Sequence, residues 1–186
     1  MTEAKIALIT EEAKSFGAQV ALAEEIYTGS FTSIKSTMIM LRERGMGVDL
    51  LIITTRYGLI PGDRVVEQYA PDPRKLSSGE FVNKLSEGIG QALEKYRTFI
   101  IIVSTDYALA LAKALGKNGS LALRPVQSRV FVVSGSKGAE VLRNAFSPIA
   151  RQVTTYTKPG VARITNNARR AILNALATSP DFSGPG

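Results

Sequence analysis

The sequence predicts an α/β fold: a single three-layer domain whose mainly parallel sheet of four to five strands carries helices on both faces. Three observations lead there. Short runs of Ile, Leu and Val recur along the chain without polar alternation, the pattern of strands covered on both faces. Helix-like segments separate these runs, as crossovers of a parallel sheet require. Each run also ends abruptly in small polar or charged residues, which in a parallel sheet would share one edge.

Five runs are candidate strands: Lys5 to Ile9, Val48 to Ile53, Phe99 to Val103, Val130 to Val133, and the weaker Gln152 to Tyr156. Ala18 to Tyr27 and Phe31 to Arg44 have helical patterns. The second starts near Thr28 and Ser30, good capping types, and stops at Gly45. Ser77 with Glu80 has capping-box spacing, opening a helix to Tyr96. Its Phe81, Leu85, Ile89 and Leu93 form one apolar stripe. Tyr107 to Leu115, Gly138 to Phe146 and Ile164 to Ala177 complete the helices. One domain over residues 1–178 is expected, with residues 179–186, rich in Ser, Pro and Gly, as a frayed tail. The basic segment Lys117 to Gln127 suits a mobile flap.

Composition removes several chemistries. The 186 residues contain no Cys, His or Trp. Disulfides and thiolate metal sites are therefore excluded, and so is the commonest general base near neutral pH. Acid–base work would fall to Asp, Glu, Lys or Tyr. No cofactor or metal is expected. The amino terminus shows no secretory signal and no apolar run is long enough for a bilayer, so the sequence points to a cytoplasmic protein without a membrane partner. Sparse Asn and Gln, with the missing Cys, suggest a thermophile.

Net charge is +7, unevenly spread. Residues 1–116 hold 13 basic and 14 acidic side chains, whereas residues 117–170 hold ten basic ones against Glu140 alone. This asymmetry suits a polyanion partner, and equally a solvated basic face. Arg124, Arg129, Arg143, Arg151, Lys158 and Arg163 are the candidate nucleic-acid contacts.

The strand ends nominate a crevice. They offer Thr10, Glu11 and Glu12; then Thr54, Thr55, Arg56 and Tyr57, with Gly58 in the turn; then Ser104, Thr105 and Asp106; then Ser134, Gly135, Ser136 and Lys137; then Thr157, Lys158 and Gly160. Helix capping also uses Ser and Thr, but explains Arg56, Tyr57 and Lys137 poorly. Ser134 to Gly138 joins a strand to a helix and suits a phosphate or carboxylate, or simply a tight turn. It lacks Walker A spacing, so no ATPase is expected. Asp63 and Glu67 lie four apart and would share a face if helical, as a cation site, an acid–base pair or partners for Arg56 and Arg64. Asp63 and Glu12 are the candidate acids or bases.

Arg56-Tyr57-Gly58-Leu59-Ile60-Pro61, followed by Asp63, Val66 and Tyr69, resembles the Tyr-Gly-Leu-Leu-x-Pro-x-Asp-x-Ile-x-Pro-Tyr motif of the YaaA-like peroxide-stress proteins and related bacterial and archaeal domains. A similar turn occurs in archaeosine synthases. The likeness spans about residues 5–110, and includes Glu25 to Phe31. Those relatives often carry a Cys-containing turn after the first strand; here that place reads Thr10-Glu11-Glu12-Ala13-Lys14, and Gln68 replaces a proline. The resemblance implies a nucleobase or nucleic-acid ligand, although fold likeness does not carry function.

The expected function is therefore binding of a nucleobase, nucleotide or nucleic acid at the shared strand edge. Tyr57 or Tyr69 would stack and Arg56 or Lys137 would meet phosphate. A non-catalytic nucleic-acid-binding module and an assembly protein remain as alternatives. The oligomeric state is open, a homodimer included.

Overall fold

The computed structural model describes residues 5–118, 128–159 and 163–182. Its central sheet has six strands: β1 (Lys5–Glu11), β3 (Gly47–Thr54), β4 (Gly58–Pro61), β6 (Thr98–Ile102), β7 (Arg129–Ser134) and β8 (Gln152–Thr157). The spatial order is β4-β3-β1-β6-β7-β8, and all neighbours are parallel except β3 and β4. All five predicted runs are strands of this sheet. β2 (Val20–Leu22) and β5 (Val65–Glu67) form a separate antiparallel pair.

The strands are apolar on both sides because both sides are covered. Ile6, Leu8, Ile100, Ile102, Phe131 and Val133 pack under α1 (Ala23–Ile26), α2 (Thr32–Glu43) and α6 (Asn166–Ala177). The alternate positions Ala7, Ile9, Phe99, Ile101, Val130 and Val132 pack under α3 (Gly79–Lys95), α4 (Thr105–Lys117) and α5 (Ser136–Phe146). Burying a Leu, Ile or Phe side chain contributes about 1.5–3 kcal/mol, so these two layers hold the fold.

Several sequence expectations need correction. Ala18 to Tyr27 is not one helix. Val20–Leu22 is extended against Val65–Glu67, leaving a helix of only four residues. The segment after Gly58 is a strand as well as a turn. Gly58 takes φ 74° to reverse the chain, and Pro61 sits at the end of β4, on the sheet's edge, where a missing N–H is tolerated. The cap of α3 is Ser78, not Ser77: Ser78 Oγ accepts from Phe81 N–H, while Ser77 closes the short 3-10 turn Pro73–Ser77 by donating to Arg74 O. Asp63 and Glu67 do not share a helical face, since Asp63 follows β4 in a turn and Glu67 ends β5. Gly45 ends α2 as expected, at φ 75° with Met46 N–H returning to Leu41 O. Most of the expected flap, residues 119–127, lies outside the described residues.

Taken alone, the parallel strands run β3-β1-β6-β7-β8, the doubly wound order 2-1-3-4-5. Crossovers leave β1 in opposite directions, toward β3 and toward β6. In doubly wound sheets ligands bind beyond the carboxyl ends at such a reversal.

Candidate functional site

At the end of β1 the chain presents two adjacent carboxylates, and they part company. Glu11 Oε2 accepts from Ser104 N–H at 2.9 Å and Ser104 Oγ at 2.7 Å. Ser104 is the N-cap of α4, so this carboxylate occupies the positive end of that helix. Glu12 turns inward and is only 5% exposed. Its Oε1 accepts from Thr55 N–H and from the Tyr107 hydroxyl, both at 2.8 Å, and its Oε2 accepts from the Tyr69 hydroxyl. Tyr69 spends its proton on Glu12, so its oxygen accepts from Tyr27, 2.7 Å away. A relay thus runs from Tyr27 through Tyr69 to Glu12, with Tyr107 arriving from α4 on the opposite layer. Among the described residues no cation lies within ion-pair distance of Glu12.

Burial dominates the acid–base behaviour of these tyrosines. It pushes Tyr27 up to about 12, with the Glu12 charge adding to the effect. Burial and then the Glu12 charge raise Tyr69 and Tyr107 in the same direction. All three hydroxyls keep their protons at neutral pH; Tyr69 and Tyr107 donate to the fixed carboxylate and Tyr27 to Tyr69.

Arg163 braces the same strand end from the α6 side. It is 6% exposed. Its guanidinium donates to Glu12 O at 2.9 Å, Glu11 O at 2.5 Å, Thr10 Oγ1 at 3.1 Å and Ser30 Oγ at 3.0 Å. Its charge also lies 5.4 Å from the Phe31 ring centre. Burial lowers its pKa, opposed by Glu11, Tyr107 and Glu12, yet an arginine so placed remains a cation. Thr10 is buried and passes its own proton to Ile102 O at 2.9 Å.

Farther along the edge, α5 begins at Gly135 without any side-chain cap. A Cβ at Gly135 would stand 2.9 Å from Thr105 Oγ1, so glycine lets the starts of α4 and α5 approach. Ser136 and Lys137 are exposed in its first turn, whereas Ser134 is buried beneath and its hydroxyl has no hydrogen-bond partner among the described residues. Lys158 follows β8, its N–H bonded to Ser134 O at 3.0 Å. Burial lowers the Lys158 pKa, Glu11 opposes the shift and Arg163 adds to it.

On the β3 side, Thr55 is buried, its N–H held by Glu12 while its hydroxyl accepts from Asp72 N–H at 2.9 Å. Tyr57 is half-buried, with the guanidinium carbons of Arg56 and Arg64 at 5.3 and 4.7 Å from its ring centre. It meets Tyr69 edge-on at 5.7 Å, and Tyr69 meets Phe16 likewise at 5.3 Å. Tyr69 is therefore enclosed, and of the two expected stackers only Tyr57 keeps an accessible ring.

Most of the predicted crevice residues do gather at one edge: Thr10, Glu12, Thr55, Arg56, Tyr57, Gly58, Ser104, Ser134, Gly135, Ser136, Lys137 and Lys158 all lie at the ends of strands or in the turns just beyond them. Asp63 does not. It follows the far end of β4, beside Gly62, whose N–H bonds Leu50 O halfway down β3. It cannot share acid–base work with Glu12, and Glu12 itself is sealed by its donors. Arg163 is no surface cation, because its donors are spent inside. Arg129 begins β7 at the opposite edge, with Nη2 3.5 Å from Ala175 O. Arg124 lies outside the described residues. Sequence reasoning missed Tyr27, Tyr107 and the organising role of Glu11. The available signal was a tyrosine inside otherwise apolar helical patterns, which needs a partner for its hydroxyl when buried.

No family model, curated protein or solved structure matches the chain. Among the described residues no cluster of acidic side chains is arranged to hold a metal ion, and no helix is long and apolar enough to cross a membrane.

Proposed function

We propose that the protein binds a phosphorylated small molecule of the nucleotide class along the carboxyl edge of its sheet. The phosphate would rest on the start of α5 with Lys137 and Lys158, and the base on Tyr57 between Arg56 and Arg64. The observation that carries this reading is the contrast between two neighbouring helix starts. The first turn of α4 is already occupied by an internal anion, the Glu11 carboxylate. That of α5 has no side-chain cap among the described residues, and the half-buried Lys158 follows the neighbouring strand, its N–H on Ser134 O just ahead of that turn, a setting that favours an anion from outside. Tyr57 and α5 follow strands three spacings apart, about 14 Å, the reach of a nucleotide.

ADP is expected to raise the melting temperature more than inorganic phosphate does. Lys158→Gln should weaken ADP about tenfold, the loss of one charge-assisted hydrogen bond of about 1.5 kcal/mol. The reading fails if no mono-, di- or triphosphate nucleoside shifts the melting curve at millimolar concentration.

A nucleic-acid backbone is the second reading. It is favoured by the outermost strand, β8, which has cations along its length. Arg151 precedes it, Arg143 on α5 bonds Thr155 Oγ1 at 2.6 Å midway, and Lys158 comes directly after it. Binding of generic single-stranded RNA should then weaken steeply with salt, and Arg143→Gln with Arg151→Gln should flatten the salt slope by about two ions. Salt-independent binding, or none at low salt, excludes it.

A further inference from the structure

A sizeable cleft among the described residues lies away from the carboxyl edge. It encloses about 550 Å³, within the usual range for small-ligand sites. Its origin is a mismatch of strand lengths. β3 runs Gly47–Thr54, but β4 covers only Leu51 to Thr54 before the chain leaves through Pro61 and Gly62. Gly62 bridges the gap by donating to Leu50 O and accepting from Glu24 N–H at 2.9 Å. Below that bridge the side of β3 is open. Val48 O meets only Arg42 Nη2 there, at a long 3.4 Å.

The lining carries both signs of charge. Lys5 and Lys95 both approach Asp49, at 3.8 and 3.4 Å, and the Tyr96 hydroxyl donates to it at 2.7 Å. Burial pushes the Asp49 carboxyl up, but Tyr96 and the two lysines outweigh it and hold the group below its ordinary value. Two lysines against one aspartate leave one net positive charge, and Arg42 adds a second. Glu24 and Asp63 line the cleft as well. Neither carboxylate has a hydrogen-bond or ion-pair partner among the described residues. Leu51, Leu59 and Ala92 supply an apolar wall on the α3 side of the cleft.

We propose that this cleft binds a small zwitterion of the free amino-acid or dipeptide class, its carboxylate on Arg42 and its ammonium on Glu24 and Asp63. A guanidinium held only by one long bond to a carbonyl keeps its planar fork for a carboxylate. Two unpaired acids complement a primary ammonium, and the apolar wall takes an aliphatic side chain. A purely anionic ligand would meet Glu24 and Asp63, and a purely cationic one would meet Arg42 and the lysines, so both are disfavoured by the same lining.

The test is amide chemical-shift mapping of the full chain with L-leucine and glycylleucine, using N-acetyl-leucine amide as a neutral analogue. The zwitterions are expected to shift the amides of Val48, Gly62 and Gly88, and the neutral analogue to leave them in place. Arg42→Gln and Asp63→Asn, both at exposed positions, should each weaken the response about tenfold while leaving any nucleotide response unchanged. No shift at these amides up to millimolar ligand overturns the proposal. Equal shifts from the neutral analogue, or shifts unaltered by both substitutions, overturn it as well.

Discussion

Replacing Glu12 by leucine is expected to lower folding stability by about 3–5 kcal/mol, because it removes the acceptor for three buried donors at once. Thr55 N–H, Tyr69 OH and Tyr107 OH would all lose their partner, and Tyr27 would lose the fixed orientation of Tyr69. These donors come from the segment after β3, the segment after β5 and the first turn of α4. One carboxylate therefore ties three parts of the chain to the end of β1. Glu12→Gln retains one acceptor oxygen and should lose about half as much. Urea unfolding measures both, and a Glu12→Leu protein as stable as the parent would show that the network does not hold this edge together. The same residues make the fold sensitive to alkali. Tyr27 is raised to about 12 from an ordinary 10, so its contribution is complete below pH 10 and is lost as pH rises toward 12. Tyr69 and Tyr107 are shifted the same way. Tyrosinate absorbance from these residues should appear together with loss of circular dichroism. A gradual titration near pH 10 in an intact fold would contradict their burial.

Replacing Arg163 by methionine is expected to cost about 2–4 kcal/mol. The methionine fills similar space against Phe31 but leaves Glu11 O and Glu12 O without their donor. Arg163→Lys should recover little of the loss. An ammonium has no planar fork to span two carbonyls, Thr10 and Ser30 together. Hydrogen exchange gives the local readout: the amides of Thr10 to Glu12 should open faster in Arg163→Met than in the parent, with α3 unaffected. Unchanged exchange there would mean that Arg163 is held by the strand end without supporting it.

These two residues mark where the sequence is readable and where it is not. Glu12 is visible as an acid at a strand end, and the structure places it there. That it faces inward, sealed by Tyr69 and Tyr107 with Tyr27 behind Tyr69, is a fact of contacts up to 95 positions apart, which spacing cannot show. Arg163 stands among ten cations of residues 117–170 and looks like the rest. Its burial depends on the approach to α6 crossing the end of β1, a long-range event with no local signature. Asp63 fails as a crevice residue for a related reason: the Gly58 turn and β4 carry it back down the side of β3, away from the edge that Tyr57 joins.

The stretch from Val48 to Tyr69 shows the division most clearly. By itself the sequence determined a strand buried on both faces beyond Asp49, since the unbroken apolar run Leu50 to Ile53 has no polar side to offer water. It also determined a sharp reversal at Gly58, since the turn uses φ 74°, a conformation that side chains with a Cβ resist. Only the tertiary structure decided which polar groups beyond that strand stayed accessible and which became internal. Tyr57 stayed at the surface, while Thr55 and Tyr69 were drawn onto Glu12. A buried carboxylate must collect donors from whatever folds beside it, and those neighbours are chosen by topology rather than by sequence distance.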